Sequence, residues 1–277
     1  MDGLVSTQWL AEHLGQADLV AIDATLFMPS SGGDARAEHL DAHIPGARFL
    51  DIEALSDKSN PAPHMLPSAA EFGRAMEVLG VGRGDRLVVY DNSPLRSAAR
   101  GWLMLRHFGA EHVAILDGGF QKWRSEGRPV ESGEPAARTA QFDAVERAGE
   151  VVTMFDIRSG LGVELLDARG KARFEGSEPD PRPGVSTGHI PGARNLPFAA
   201  LYKDDGTFRG RGEIAQTFAV AGVDPRAPFV ATCGSGVTAS SLIFAARLLG
   251  NREARLYDGS WSEWGADPST PKEKGPA

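Results

Sequence analysis

The sequence repeats itself, and the repeat restricts the kind of molecule it can fold into. Ala42-His43-Ile44-Pro45-Gly46-Ala47-Arg48 returns as Gly188-His189-Ile190-Pro191-Gly192-Ala193-Arg194. Asp23-Ala24-Thr25 returns as Asp167-Ala168-Arg169, each after an apolar run. Leu116-Asp117-Gly118-Gly119-Phe120-Gln121-Lys122-Trp123 returns as Tyr257-Asp258-Gly259-Ser260-Trp261-Ser262-Glu263-Trp264. The three offsets lie between 141 and 146 residues and keep their order. Chance supplies one such match, not three in register, so the chain is read as two copies of one domain. A length of 277 residues accommodates two domains of ordinary size.

Each copy alternates strands with helices. In the first, residues 19–22, 87–90 and 113–116 are apolar runs of strand length, and residues 69–79 and 97–108 carry helical periodicity. Continuous apolar strands separated by helices predict an α/β fold whose mainly parallel sheet has helices on both faces. Residues 125–152, rich in Gly, Ala and Glu, read as a linker between an N-terminal domain over 1–124 and a C-terminal domain over 153–277.

The only cysteine, Cys233, lies between the apolar Phe229-Val230-Ala231 and a helix expected from Ala239, with Leu242, Ile243, Ala246 and Leu249 on its apolar face and Gly250 as its stop. Sites in parallel sheets form at the carboxyl ends of strands, where Cys233 falls. Gly234 and Gly236 let the loop turn tightly, so that the N–H groups of Gly234, Ser235, Gly236, Val237 and Thr238 and the helix behind them favour an anion at the sulfur. The thiolate is the nucleophilic form, which marks Cys233 as a candidate for covalent catalysis rather than an inert core residue. In the first copy Asp91 aligns with Cys233, and Asn92-Ser93-Pro94-Leu95-Arg96 lacks the Gly-x-Gly pattern. An aspartate offers no thiolate nucleophile, so that copy is expected to be silent.

Composition narrows the remaining classes. A hydrophobic fraction of 42% and a charged fraction of 24% are those of a globular protein, and one cysteine forms no internal disulfide. The start Met1-Asp2-Gly3-Leu4 lacks the basic and apolar character of a signal peptide, and no apolar run is long enough to span a membrane. A thiol kept for chemistry then points to a reducing, cytoplasmic setting. A net charge of −8 argues against nucleic-acid or membrane partners. Metal binding is not expected, because His13, His39, His107 and His112 show no ligand spacing. His43 and His189, repeated in the silent copy, read as braces of the turn before a strand. Trp261 and Trp264 read as packing anchors, and Arg169, Lys171 and Arg194 as ordinary solvated charges.

The paired His-Ile-Pro-Gly-Ala segments, the Asp-Gly-Ser-Trp-Ser-Glu-Trp ending and the loop Cys233-Gly234-Ser235-Gly236-Val237-Thr238 resemble the two-domain rhodanese family over nearly the whole chain. The loop is similar to that of its 3-mercaptopyruvate sulfurtransferase branch, since thiosulfate-using relatives carry Arg-Lys after the cysteine. The resemblance implies tandem duplicated rhodanese-like domains, the first silent and the second catalytic. It also implies a Cys233 persulfide that needs no other cofactor. The implied donor is 3-mercaptopyruvate, which releases pyruvate, and the acceptor a thiol such as thioredoxin or glutathione, or cyanide. Arg173 and Arg182 match the substrate-binding arginines, a role that bidentate arginine suits in holding a carboxylate. A proton relay would comprise Ser235, His64 and Glu53, the last in place of the family's aspartate. Thiosulfate transfer and a non-catalytic binding module are the competing readings. A phosphatase is disfavoured because no arginine closes the loop, which runs on through Thr238, Ala239 and Ser240.

Overall fold

The apolar runs become parallel strands. The computed structural model describes residues 2–28, 31–160 and 162–277. In the first copy the chain forms β1 (Asp2–Val5), α1 (Thr7–His13), β2 (Leu19–Asp23), α2 (Ala35–Asp41), β3 (Arg48–Phe49), α3 (Ile52–Leu55), α4 (Ala69–Val78), β4 (Arg86–Tyr90), α5 (Ala98–His107), β5 (His112–Leu116) and α6 (Gly119–Ser125). The strands pair in parallel in the order β1-β5-β4-β2-β3. Every residue of β2 is buried, as expected of a strand covered on both faces. Leu10 of α1 and Phe120 and Trp123 of α6 cluster with Ala21, Val88 and Tyr90 on one face, and α5 also packs against β4 and β5.

The second copy repeats the plan with β6 (Val151–Val152), α7 (Met154–Arg158), β7 (Glu164–Asp167), α8 (Lys171–Glu175), β8 (Arg194–Asn195), α9 (Arg211–Val220), β9 (Phe229–Thr232), α10 (Ala239–Leu248), β10 (Arg255–Tyr257) and α11 (Ser260–Trp264). The parallel order is β6-β10-β9-β7-β8, the same arrangement as in the first copy. The likeness extends to single hydrogen bonds. Ala24 N–H donates to Tyr90 O at 2.9 Å and Ala168 N–H to Thr232 O at 2.8 Å. The His43–Glu131 antiparallel bridge has its counterpart in His189–Glu273. Among the described residues, no helix is long and apolar enough to cross a membrane.

Two features depart from a plain division into an N-terminal domain, a linker and a C-terminal domain. The first compact unit comprises residues 1–56, 66–147 and 203–208, and the second residues 57–65, 148–202 and 209–277. In addition, most of the expected linker is folded onto the first unit. Arg138 donates to both carboxylate oxygens of Asp85 at 2.6 and 2.7 Å, and Phe142, 2% exposed, meets the Phe72 ring edge-on. A stretch poor in regular structure is thus held by side-chain anchors such as Arg138 and Phe142 and by scattered backbone bonds such as Val145 N–H to Phe108 O, which its Gly- and Glu-rich composition conceals.

Candidate active site

Cys233 follows the last residue of the central strand β9, and its backbone is fastened from behind. Ser260, at the start of α11, accepts hydrogen bonds through Oγ from the N–H groups of Cys233 and Gly236, each at 3.1 Å, and donates to Tyr257 O at 2.8 Å. Trp261 N–H donates to Cys233 O at 3.0 Å and Ser262 N–H to Gly234 O at 2.9 Å, while the Ser262 hydroxyl also donates to Gly234 O. Gly236 adopts a left-handed φ of 76°, which closes the loop. The N–H groups of Gly234, Ser235, Val237 and Thr238 have no hydrogen-bond partner among the described residues. They stand ahead of α10, so donors and helix dipole together favour negative charge here. Gly236 is a correction to the expected donor set: its N–H is committed to Ser260.

Three further predicted residues share the second unit with Cys233. His64 lies in residues 57–65, a loop closed by a hydrogen bond from Asp57 N–H to Met65 O at 3.0 Å. His64 is buried, holds a left-handed φ of 61°, and places Nδ1 2.7 Å from Ser235 Oγ. Arg182 Nη2 donates to the same Oγ at 3.2 Å. Both arginines reach the cysteine loop: a Cβ on Gly234 would sit 3.1 Å from Arg182 Nη1 and 3.4 Å from Arg173 Nη2. Burial pulls the Arg182 guanidinium below its ordinary pKa, while Asp180 and Cys233 push it up and Arg173 pulls it down. Arg173 Nε is buried and has no partner among the described residues. Glu53 is placed in α3 of the first unit.

At the matching position of the first unit, Asp91 is buried and its carboxylate accepts from Ser93 N–H at 2.9 Å and Ala98 N–H at 2.8 Å. Burial raises its pKa to about 6, against the lowering effect of those two N–H groups. The carboxylate thus occupies loop donors that would otherwise face an anion. His189 donates through Nδ1–H to Phe174 O at 2.9 Å and stacks on the Phe174 ring at 3.8 Å, which is a packing role. Trp261 and Trp264 lie in the core cluster.

Arg169 is a correction. Rather than a solvated charge, it is buried, donates to both oxygens of Asp167 and to Gly188 O, and lies 4.6 Å from the centroid of the Trp261 ring. Two residues of the site were missed. Ser260 stands where the silent copy has Gly119, and both are left-handed, with φ of 50° and 59°. A serine replacing glycine at such a position only in the armed copy was a readable signal. The other is Asp180, whose side chain is buried against Arg173, a placement that residue type and spacing do not disclose.

A family model described as the Rhodanese-like domain matches residues 6–126 and 150–267. The 3-mercaptopyruvate sulfurtransferase of Rattus norvegicus is 42% identical over 270 residues, covering 94% of this chain and 91% of the relative. That of Escherichia coli strain K12 is 41% identical over 273 residues, covering 97% of each. The crystal structure of SseA from Escherichia coli, described as a 3-mercaptopyruvate sulfotransferase, superposes with a TM-score of 0.86 at 38% identity. It covers 95% of this chain and all of that one.

Proposed function

The chain belongs to the rhodanese-like family, and from that premise we propose that it moves the sulfur of 3-mercaptopyruvate through a persulfide on Cys233 to a thiol acceptor or cyanide. The observation that carries this reading is the convergence of Arg173 and Arg182 on Gly234, one residue from the only cysteine. The loop itself has no cation, so the positive charge sits where a substrate carboxylate, rather than the transferring sulfur, would be held.

In the proposed reaction the Cys233 thiolate attacks the thiol sulfur of the donor. The donor's carbon–sulfur bond breaks and its electron pair passes to carbon as the enolate of pyruvate. The proton of the donor thiol ends on that carbon, giving pyruvate and a cysteine persulfide anion. The unpartnered loop N–H groups support that anion, as preorganised donors do at developing charge. Ser235 and His64 are proposed to carry the proton: with Arg182 donating to Ser235 Oγ, the hydroxyl hydrogen is directed toward His64 Nδ1. An external thiol, for which thioredoxin and glutathione are the candidate classes, or cyanide then removes the outer sulfur. No second cysteine on this chain can do so. The scheme needs no cofactor beyond the covalent sulfur, and it suits a reducing compartment such as the cytoplasm.

The test is transfer of sulfur to cyanide from 3-mercaptopyruvate and from thiosulfate. A kcat/KM ratio of about a hundredfold in favour of mercaptopyruvate, about 2.7 kcal/mol of differential transition-state binding, is expected. A preference for thiosulfate would replace the donor assignment. Turnover of neither would favour a non-catalytic binding module.

A further inference from the structure

On the sulfurtransferase reading, a buried carboxylate, Asp180, is paired with both substrate arginines. Asp180 is set in Pro179-Asp180-Pro181, where one proline fixes its own φ and the other confines the preceding residue to extended backbone. Its side chain is 1% exposed. Oδ2 accepts from Arg173 Nη2 at 2.6 Å, Oδ1 accepts from the backbone N–H of Arg182 at 3.0 Å, and Arg182 Nη1 lies 3.7 Å from Oδ1. The arginine side chains are only 23% and 20% exposed, so water screens little of the repulsion between two guanidinium groups that meet at Gly234. A buried carboxylate is tolerated when paired, and here it is paired with both.

We infer that Asp180 is the positioning residue of this fork. It holds Arg173 and Arg182 over Gly234 and reduces their joint charge to that of one cation, so that the fork takes a monoanionic carboxylate in preference to a dianion. Donor choice then depends on two features: the absence of cations in the cysteine loop, and a fixed anion behind the substrate arginines. Asp180 itself touches neither sulfur nor substrate.

The experiment compares the full-length chain with Asp180→Asn and Asp180→Glu, measuring kcat and KM for 3-mercaptopyruvate and thiosulfate with cyanide as acceptor. In Asp180→Asn, the thiosulfate-to-mercaptopyruvate ratio of kcat/KM is expected to rise by about tenfold or more. The change should come from KM, higher for mercaptopyruvate and lower for thiosulfate, with kcat for mercaptopyruvate within about threefold of the parent. Asp180→Glu, which keeps the charge, should restore the ratio. Equal losses with both donors, or a glutamate variant behaving like the asparagine one, would overturn the inference. Calorimetric titration of the unaltered protein with pyruvate and with sulfate needs no variant and no turnover. Pyruvate should bind about tenfold more tightly, and sulfate binding as well or better would overturn the inference. A parent protein that turns over neither donor is a failure of the sulfurtransferase reading alone, and the titration still decides the charge of the fork.

Discussion

Ser260 shows how much one hydroxyl can organise. It replaces the glycine of the silent copy at a left-handed position, and its Oγ gathers two backbone N–H groups of the cysteine loop. Non-glycine residues at such φ are uncommon and persist where surrounding structure holds them. Ser260→Ala keeps the strain and removes the acceptor, leaving two buried donors unmatched at a cost of about 1–3 kcal/mol each. The expected result is a fall of about tenfold or more in kcat with mercaptopyruvate, measured in the cyanide assay. Ser260→Gly should lose activity comparably even though its backbone is relaxed, which separates the hydroxyl from the conformation. The place of Cys233 at the end of a strand was legible in the sequence from the apolar run before it, and Arg173 and Arg182 were marked out by the resemblance to the rhodanese family. Asp180 was not, because an acid beside arginines looks the same on a surface as in a buried fork.

Elements were legible where hydrophobic periodicity controls them. β2, β4, β5, α4, α5 and α10 fall within a residue or two of their expected bounds, since continuous apolar runs and Gly250 mark them directly. The stretch after α6 reads as a linker because nothing periodic holds it: its attachment comes from single side chains, Arg138 on Asp85 and Phe142 on Phe72, and from scattered backbone bonds such as Val145 N–H to Phe108 O. Such a strap should contribute stability out of proportion to its composition. Phe142→Ala is expected to lower unfolding free energy by about 3–5 kcal/mol, read from denaturant unfolding, because a fully buried ring leaves a cavity that a covalently held segment fills poorly. A loss below about 1 kcal/mol would mean that the strap collapses freely onto its unit. The short edge strands β3 and β8, two residues each, lay below the length that periodicity can reveal.

For the molecule as a whole, duplication yields one unit with Cys233 after its central strand and one with a buried acid, Asp91, at the matching position. Asp91 has a raised pKa of about 6 against about 3.9 in an unfolded chain, so the native state holds the proton more firmly. Its neutral form favours folding at low pH, and that contribution fades as pH rises through about 6. The unfolding free energy of the parent minus that of Asp91→Asn should therefore fall by about 1.4 kcal/mol between about pH 5 and pH 7.5. An unchanged difference would show that Asp91 is ionised throughout. The two units also draw on each other's halves of the chain: residues 57–65 belong to the second unit, and His64 meets Ser235 across 171 residues of sequence. On a ribosome adding about 5–20 residues each second, His64 is made about 10–30 seconds before the serine it will touch. A nascent chain must keep that loop unspent through the whole interval, and a transcript cut between the two copies would yield a cysteine loop with no histidine beside it.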